Sequence, residues 1–536
     1  MKKILLFIAF FVTYASFSQE DAWVYFNDKP NAQTYLDNPL SMLTQRALDR
    51  RTAQGIALNI NDAPIEQAYR NQIAAATGIT VKAKSKWLNC LHVRGTITDI
   101  TALTNLPFVN RVQFADNSLN ARNSVPKTIK PVNKQLNVQA NFAYGNSANQ
   151  IEMLNGHLLH QANYTGAGKI IAVLDSGFLG VDSAQPFQRL FTNNLILGGY
   201  NYVSQNTDLY VLHNHGTMTL SCMGGFTDGQ LVGTAPDAHY YLFITEDVAS
   251  ENPVEESYWV EAAEEADRLG VDVISTSLGY FGYDNPNYSH IYSEMTGNIA
   301  FASQGANIAF SKGMIVVASA GNSGNSADPY IGVPAEATNV LAVGAVKFDE
   351  TYATFSSIGP SFDGRVKPDV MAKGQAATLS NTAGNIITAN GTSFSCPIMA
   401  GMITSFWQAV PNLTNQQVID LVKQSSDRFS NPNEQFGYGI PDFQLALNNA
   451  LLNTVTNAKD KFVVFPNPTN NDISISFPKG FDNVKLTLYT TLGQAVMEKT
   501  NISSLSTISL GSLNSGIYFY KIESSLFTQS GKIIKN

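Results

Sequence analysis

Asn390-Gly391-Thr392-Ser393-Phe394-Ser395-Cys396-Pro397 sets a serine between a turn of small residues and an apolar run, Ile398-Met399-Ala400-Gly401-Met402-Ile403, long enough for a buried helix. A hydroxyl at a turn-to-helix junction lies at the positive end of the helix dipole, where developing negative charge is favoured. Two readings of Ser393 follow. It caps the helix, a frequent role of serine at such positions, or it is a nucleophile. The second reading needs a base, a partner that orients the base, and an oxyanion donor.

Three other segments supply those chemical types. Ile171-Ala172-Val173-Leu174-Asp175-Ser176-Gly177 ends an apolar run in a carboxylate. That carboxylate is either an Asx-type turn or an orienting group at a strand's carboxyl end. His213-Asn214-His215-Gly216-Thr217 offers an imidazole that can take a serine proton near neutrality. Two histidines one residue apart can also bind a metal, but no third ligand stands at a usual short spacing beside them. Val316-Val317-Ala318-Ser319-Ala320-Gly321-Asn322 runs into a glycine turn that holds an amide, Asn322. It is an ordinary turn or a donor for an oxyanion.

These residues need a rigid frame. Five apolar runs recur between helical or loop segments: Ile170 to Leu174, Tyr240 to Ile244, Val271 to Ile274, Met314 to Ala318 and Val340 to Val343. Runs without alternation fit strands buried on both faces of a parallel sheet, and such sheets place function at the carboxyl ends of their strands. The central region is therefore expected to be an α/β domain with a doubly wound, mainly parallel sheet. Before it, Asp21 to Asn117 reads as a small α+β unit, and Asn117 to Gln150 as a polar linker. After it, short alternating strands such as Ile473 to Phe477 and Ile517 to Ile522 predict a small β-sandwich.

Together the four segments resemble the subtilisin-like serine proteases. Asp175-Ser176-Gly177, His215-Gly216-Thr217, Gly321-Asn322 and Gly391-Thr392-Ser393-Phe394-Ser395-Cys396-Pro397 match that family's signatures in its order of Asp, His and Ser. The resemblance implies that Ser393 is the nucleophile, His215 the general base and then acid, and Asp175 the group that holds the imidazole tautomer. Asn322 and the Ser393 N–H become the oxyanion donors. Ser277-Leu278-Gly279 is similar to the family's substrate-pairing edge, where a peptide adds as an extra strand. Phe394 departs from the family's usual methionine. Tyr280 to Thr296, with Phe281, Tyr283, Tyr288 and Tyr292, looks like an aromatic insertion that lines the cleft or covers the sheet edge. The expected activity is peptide-bond hydrolysis through an acyl-enzyme. A catalytically silent binding protein of the same fold would lack some of the four groups, and a metal hydrolase would survive loss of Ser393.

The flanks fit the same family. The N-terminal unit is similar to propeptides that block the enzyme until cleaved, the alternative being a permanent accessory domain. Phe465-Pro466-Asn467-Pro468, Leu488 to Gln494 and Ser515 to Lys521 resemble the C-terminal sorting domains read by the type IX secretion system of Bacteroidetes. Lys2-Lys3 followed by apolar Ile4 to Tyr14 reads as a signal peptide. The expected organisation is a signal peptide at 1–18, propeptide and linker at 19–145, peptidase at 146–455 and sorting domain at 460–536. Expected partners are protein or peptide substrates, the chain's own propeptide as inhibitor and the secretion machinery.

Composition closes other routes. A net charge of -8 and the absence of any long basic run argue against nucleic acid. The chemistry requires no cofactor, and calcium is conceivable only as a structural ion without a placeable cage. Of the three cysteines, Cys222 and Cys396 could form a disulfide if their helices pack, or stay buried and free.

Overall fold

All five apolar runs are strands, and they lie side by side. In the computed structural model, which describes residues 19–120, 142–457, 462–477, 484–524 and 528–536, the central sheet has seven parallel strands. They are β5 (Ile170–Asp175), β6 (Ile196–Asn201), β7 (His239–Ile244), β8 (Val273–Thr276), β9 (Ile315–Ser319), β10 (Leu341–Val346) and β11 (Val370–Lys373), in the order β11-β10-β9-β8-β5-β7-β6. The two strands that sequence did not announce, β6 and β11, are the two edges. The half-exposed β6 carries Gly198 and Gly199, and β11 has only four residues, so neither makes a long apolar run.

One strand starts later than its apolar run. Asp272, inside the expected Val271 to Ile274, takes the Ile170 N–H and the Arg46 guanidinium, and extended pairing begins only at Val273. The shift carries the strand end to Thr276, directly before Ser277.

The N-terminal unit has a four-stranded antiparallel sheet of β1 (Gln19–Phe26), β2 (Thr80–Ser85), β3 (Cys90–Thr96) and β4 (Val109–Phe114), ordered β2-β3-β1-β4, and also contains the helix α1 (Gln45–Ala53). One hydrophobic cluster joins its Trp23, Tyr25 and Trp87 to Trp259 and Phe301 of the central domain. Those partners lie on α3 (Val254–Leu269) and α4 (Phe301–Ser311). Trp23 stacks on Phe301 at 5.0 Å and donates to the Ser257 hydroxyl at 2.8 Å. Arg50 and Arg51 of α1 both reach Asp267 of α3, at 2.5 and 2.6 Å, with all three side chains buried.

The helices that matter for the site are α2 (His215–Gly224), which follows β6 in sequence, and α5 (Thr392–Ala409), an almost fully buried helix packed on α2 and on the sheet. The C-terminal unit, described by itself, has a three-stranded and a four-stranded antiparallel sheet around Ile473, Ile475, Leu486, Leu488, Ile522 and Ile533. The expected signal peptide lies outside the described residues, as does the 121–141 part of the expected linker. From Tyr144 on, the rest of that linker is built into the central unit, with Ser147 and Gln150 buried.

Candidate active site

Asp175 ends β5, and the helix that begins at His215 approaches it because two glycines face each other. A Cβ on Gly216 would stand 2.5 Å from the Gly177 carbonyl oxygen and 3.0 Å from the Asp175 Cβ. With only hydrogens there, His215 Nδ1 comes to 2.8 Å from Asp175 Oδ1. The same oxygen accepts the Ser176 N–H at 2.8 Å, and Oδ2 accepts the Thr219 hydroxyl at 3.0 Å. The carboxylate is 1% exposed. Burial pulls the imidazole pKa down, but the Asp175 charge and hydrogen bond, with a contribution from Glu246, more than offset it. The pKa of His215 therefore lies above its ordinary value.

Ser393 is the second residue of α5 and does not cap it. The N-cap is Gly391, and the Thr392 N–H finds its acceptor in another segment, the Asn322 Oδ1, at 2.9 Å. The Thr392 hydroxyl donates to that oxygen as well, at 3.0 Å. Occupying Oδ1 twice turns the exposed Asn322 amide so that Nδ2 is its outward donor. The Ser393 N–H belongs to the first turn, whose donors a helix leaves without internal acceptors. The Ser393 hydroxyl bonds the Ser277 carbonyl at 3.5 Å in this structure, and the Phe394 ring lies 6.1 Å from the His215 ring. Catalytic hydrogen bonds that are long or misaligned without substrate are common.

Ser277, Leu278 and Gly279 follow β8 without pairing in the sheet, and exposure rises along them from buried Ser277 to exposed Gly279. Such a stretch has free backbone donors and acceptors for an added strand. Ser277 also touches the serine helix, donating its hydroxyl to the Ser393 carbonyl at 2.9 Å.

Residues 166–439, just over half of the chain, match the family model described as the subtilase family. The chain belongs to the subtilase family. Subtilisin NAT of Bacillus subtilis subsp. natto is 30% identical over 299 residues, covering 55% of this chain and 70% of that protein. Subtilisin E of Bacillus subtilis strain 168 gives the same identity and coverage. A crystal structure of the epidermin leader peptide processing serine protease from Staphylococcus aureus aligns with a TM-score of 0.53 at 17% identity. It covers 81% of this chain and 98% of that one, a likeness that speaks for the fold alone. Residues 21–131 match the peptidase S8 propeptide domain of Bacteroidota, and residues 463–536 match a secretion system C-terminal sorting domain. This subtilase is thus a serine endopeptidase with a propeptide and an export signal for the cell surface or beyond. No helix among the described residues is long and apolar enough to cross a membrane.

Several expectations meet a specific outcome in this subtilase. All three cysteines are free, so the disulfide between Cys222 and Cys396 is not formed. Burial pushes both thiols up, that of Cys396 to about 12, which keeps them protonated and inert. His213 is exposed, with Nδ1 3.2 Å from the Ser176 hydroxyl. Among the described residues, no group of three or more His, Cys, Asp or Glu is arranged to hold a metal ion.

The aromatic insertion is mostly packing. Tyr280, Tyr283 and Tyr288 are buried, and Tyr292 stacks on Tyr330 at 3.9 Å. It also meets the propeptide: Tyr288 donates to Glu20 at 2.8 Å and Asn287 to Asp116 at 3.0 Å. Within it, His290 bonds Glu256 at 2.8 Å and Glu294 at 3.2 Å. Sequence reasoning missed Thr219 and Thr392. The first stands four residues after His215, hence on the same helix face, and that spacing was the available signal.

Proposed function

We propose that this subtilase cleaves peptide bonds through a Ser393-His215-Asp175 triad and an acyl-enzyme intermediate. The 2.8 Å contact of His215 Nδ1 with a buried, doubly held Asp175 carries this reading. It fixes the tautomer with the proton on Nδ1, which leaves Nε2 as the base. A peptide would pair as a strand with 277–279, bringing its carbonyl carbon to Ser393. As the Ser393 oxygen bonds that carbon, its proton passes to Nε2, and the carbonyl oxygen becomes an oxyanion. Asn322 Nδ2 and the Ser393 N–H at the start of α5 are the donors for that charge. Collapse expels the amine, which takes the proton from Nε2. Water then repeats the sequence on the ester and frees Ser393.

No step in this scheme passes through a metal ion, and calcium would contribute to stability alone. The propeptide is proposed to inhibit the enzyme until it is cut away, since it shares a core cluster with the peptidase domain. Wild type and Ser393→Ala should be compared for precursor maturation and casein cleavage. Loss of both in the variant is expected, and equal processing and activity in the two would overturn the reading.

A further inference from the structure

Glu246 lies two residues past the end of β7, next to the strand that carries Asp175. The Thr245 N–H donates to the Asp175 carbonyl oxygen at 3.0 Å. The Glu246 carboxyl is buried, and two hydroxyls converge on its Oε1: Thr245 at 3.0 Å and Tyr280 at 2.6 Å. Tyr280 directly follows the substrate edge 277–279, and its backbone pairs with Val333. One carboxyl therefore joins the strand end of the orienting aspartate to the wall where substrate would lie. It is also near enough to His215 for its charge to favour the imidazolium.

We propose that Glu246 is a positioning residue of the catalytic centre, whose loss of a proton strengthens His215 as a base while its bond to Tyr280 holds the substrate edge. This inference rests on the triad reading above. The chemistry follows from placement. An anion beside the imidazole stabilises the imidazolium that forms as Ser393 gives up its proton, whereas a protonated carboxyl leaves that charge to Asp175 alone.

The surroundings favour a proton on Glu246. Burial is the largest effect and raises its pKa well above the usual carboxylate range. The Tyr280 and Thr245 hydroxyls oppose the rise, and the Glu251 and Asp175 charges add to it. Glu255, at the start of α3, is raised likewise by burial and then by Glu246, although its oxygens accept the Asp247 and Asn252 N–H groups. The groups facing Glu246 are thus Asp175 on β5, His215 on α2, Asp247 and Glu251 in the loop after β7, Glu255 on α3 and Tyr280 with Tyr283 in the insertion. Glu256, next to Glu255, is held ionised by His290. Both tyrosines are raised above their ordinary value by burial and the nearby glutamates, out of the range concerned.

The test is the pH profile of kcat/KM for the enzyme matured from the full chain. Wild type should show two rises, one as His215 loses its proton and a second, several-fold, on the alkaline side of neutrality. Glu246→Gln should keep the first rise and lose the second. Tyr280→Phe removes a donor to the carboxylate and should move the second rise to higher pH. Glu251→Gln removes a neighbouring negative charge that raises the Glu246 pKa and should move it lower. If Glu246→Gln does not mature, the opposite shifts in the other two variants decide the matter. Profiles of one shape in all the variants that mature, or an activity loss in Glu246→Gln equal at every pH, would overturn the inference. Ser393→Ala in the same assay separates the two claims, because activity there would sink the triad reading instead.

Discussion

Ser277 donates its hydroxyl to the carbonyl of Ser393 at 2.9 Å, and that carbonyl needs it because Pro397 stands four residues on. A helix carbonyl ordinarily accepts the N–H of the fourth residue ahead, and proline has none. The proline in the serine motif thus opens an acceptor inside α5, and a residue of the proposed substrate edge fills it. Ser277→Ala should leave that part-buried carbonyl unmet, costing about 1 kcal/mol of stability. We expect a lower melting temperature in the Ser393→Ala background. In the active enzyme, kcat should fall more than KM rises, because the edge and the nucleophile lose their direct tie.

Removing the side-chain donor at the oxyanion position should act on the transition state alone. Asn322→Leu is expected to lower kcat by about 10²–10³ with KM little changed, a magnitude carried over from subtilisin. Steady-state kinetics on a peptide ester and a peptide amide check it. A rise in KM with kcat preserved would place Asn322 in substrate binding.

The ionisation of the base should follow its partner. Asp175 is what lifts the His215 pKa above 6.5 against burial. The acidic limb of kcat/KM should therefore have its midpoint above 6.5, with activity lost as pH falls through it. Asp175→Asn removes the attraction, so the midpoint should move down while kcat falls by about 10⁴, as in the analogous change in a protease of another fold.

His290 makes a second pH prediction, this one about stability. Burial opposes its charge, but Glu256 and then Glu294 push its pKa from 6.5 up to about 10. A pKa raised on folding contributes stability that is fully present below 6.5 and is lost as pH rises through about 10. The melting temperature of the Ser393→Ala precursor should fall across that window. His290→Asn should melt lower at pH 6 but flatten the decline, measured by calorimetry at fixed ionic strength.

The proposed triad could be read from sequence because each member sits at a forced junction. Asp175 ends an apolar run, His215 precedes a glycine that only a close approach explains, and Ser393 stands between a turn and a buried helix. Strands β5, β7, β8, β9 and β10 were legible for a related reason, since burial on both faces leaves unbroken apolar runs. Edges β6 and β11 lack that pressure on one side and so lack the signal. The use of Pro397 was hidden because its consequence, an unmet carbonyl, is answered by Ser277, far off in sequence. Glu246 was hidden for the same reason, since nothing near it in sequence names Tyr280 or His215 as its neighbours.

The Arg50 and Arg51 contacts to Asp267 give maturation a direction. A charge sealed from water and matched by two cations is costly to uncover while the cations are still tethered, because breaking one side strands the other. Once the N-terminal unit is severed and digested, Asp267 would be hydrated instead and would have lost both arginines. On the proposed inhibitory role of the N-terminal unit, activation would then behave as a ratchet rather than an equilibrium. The number of active molecules reports how many precursors have passed one irreversible cut, not how much propeptide happens to be present.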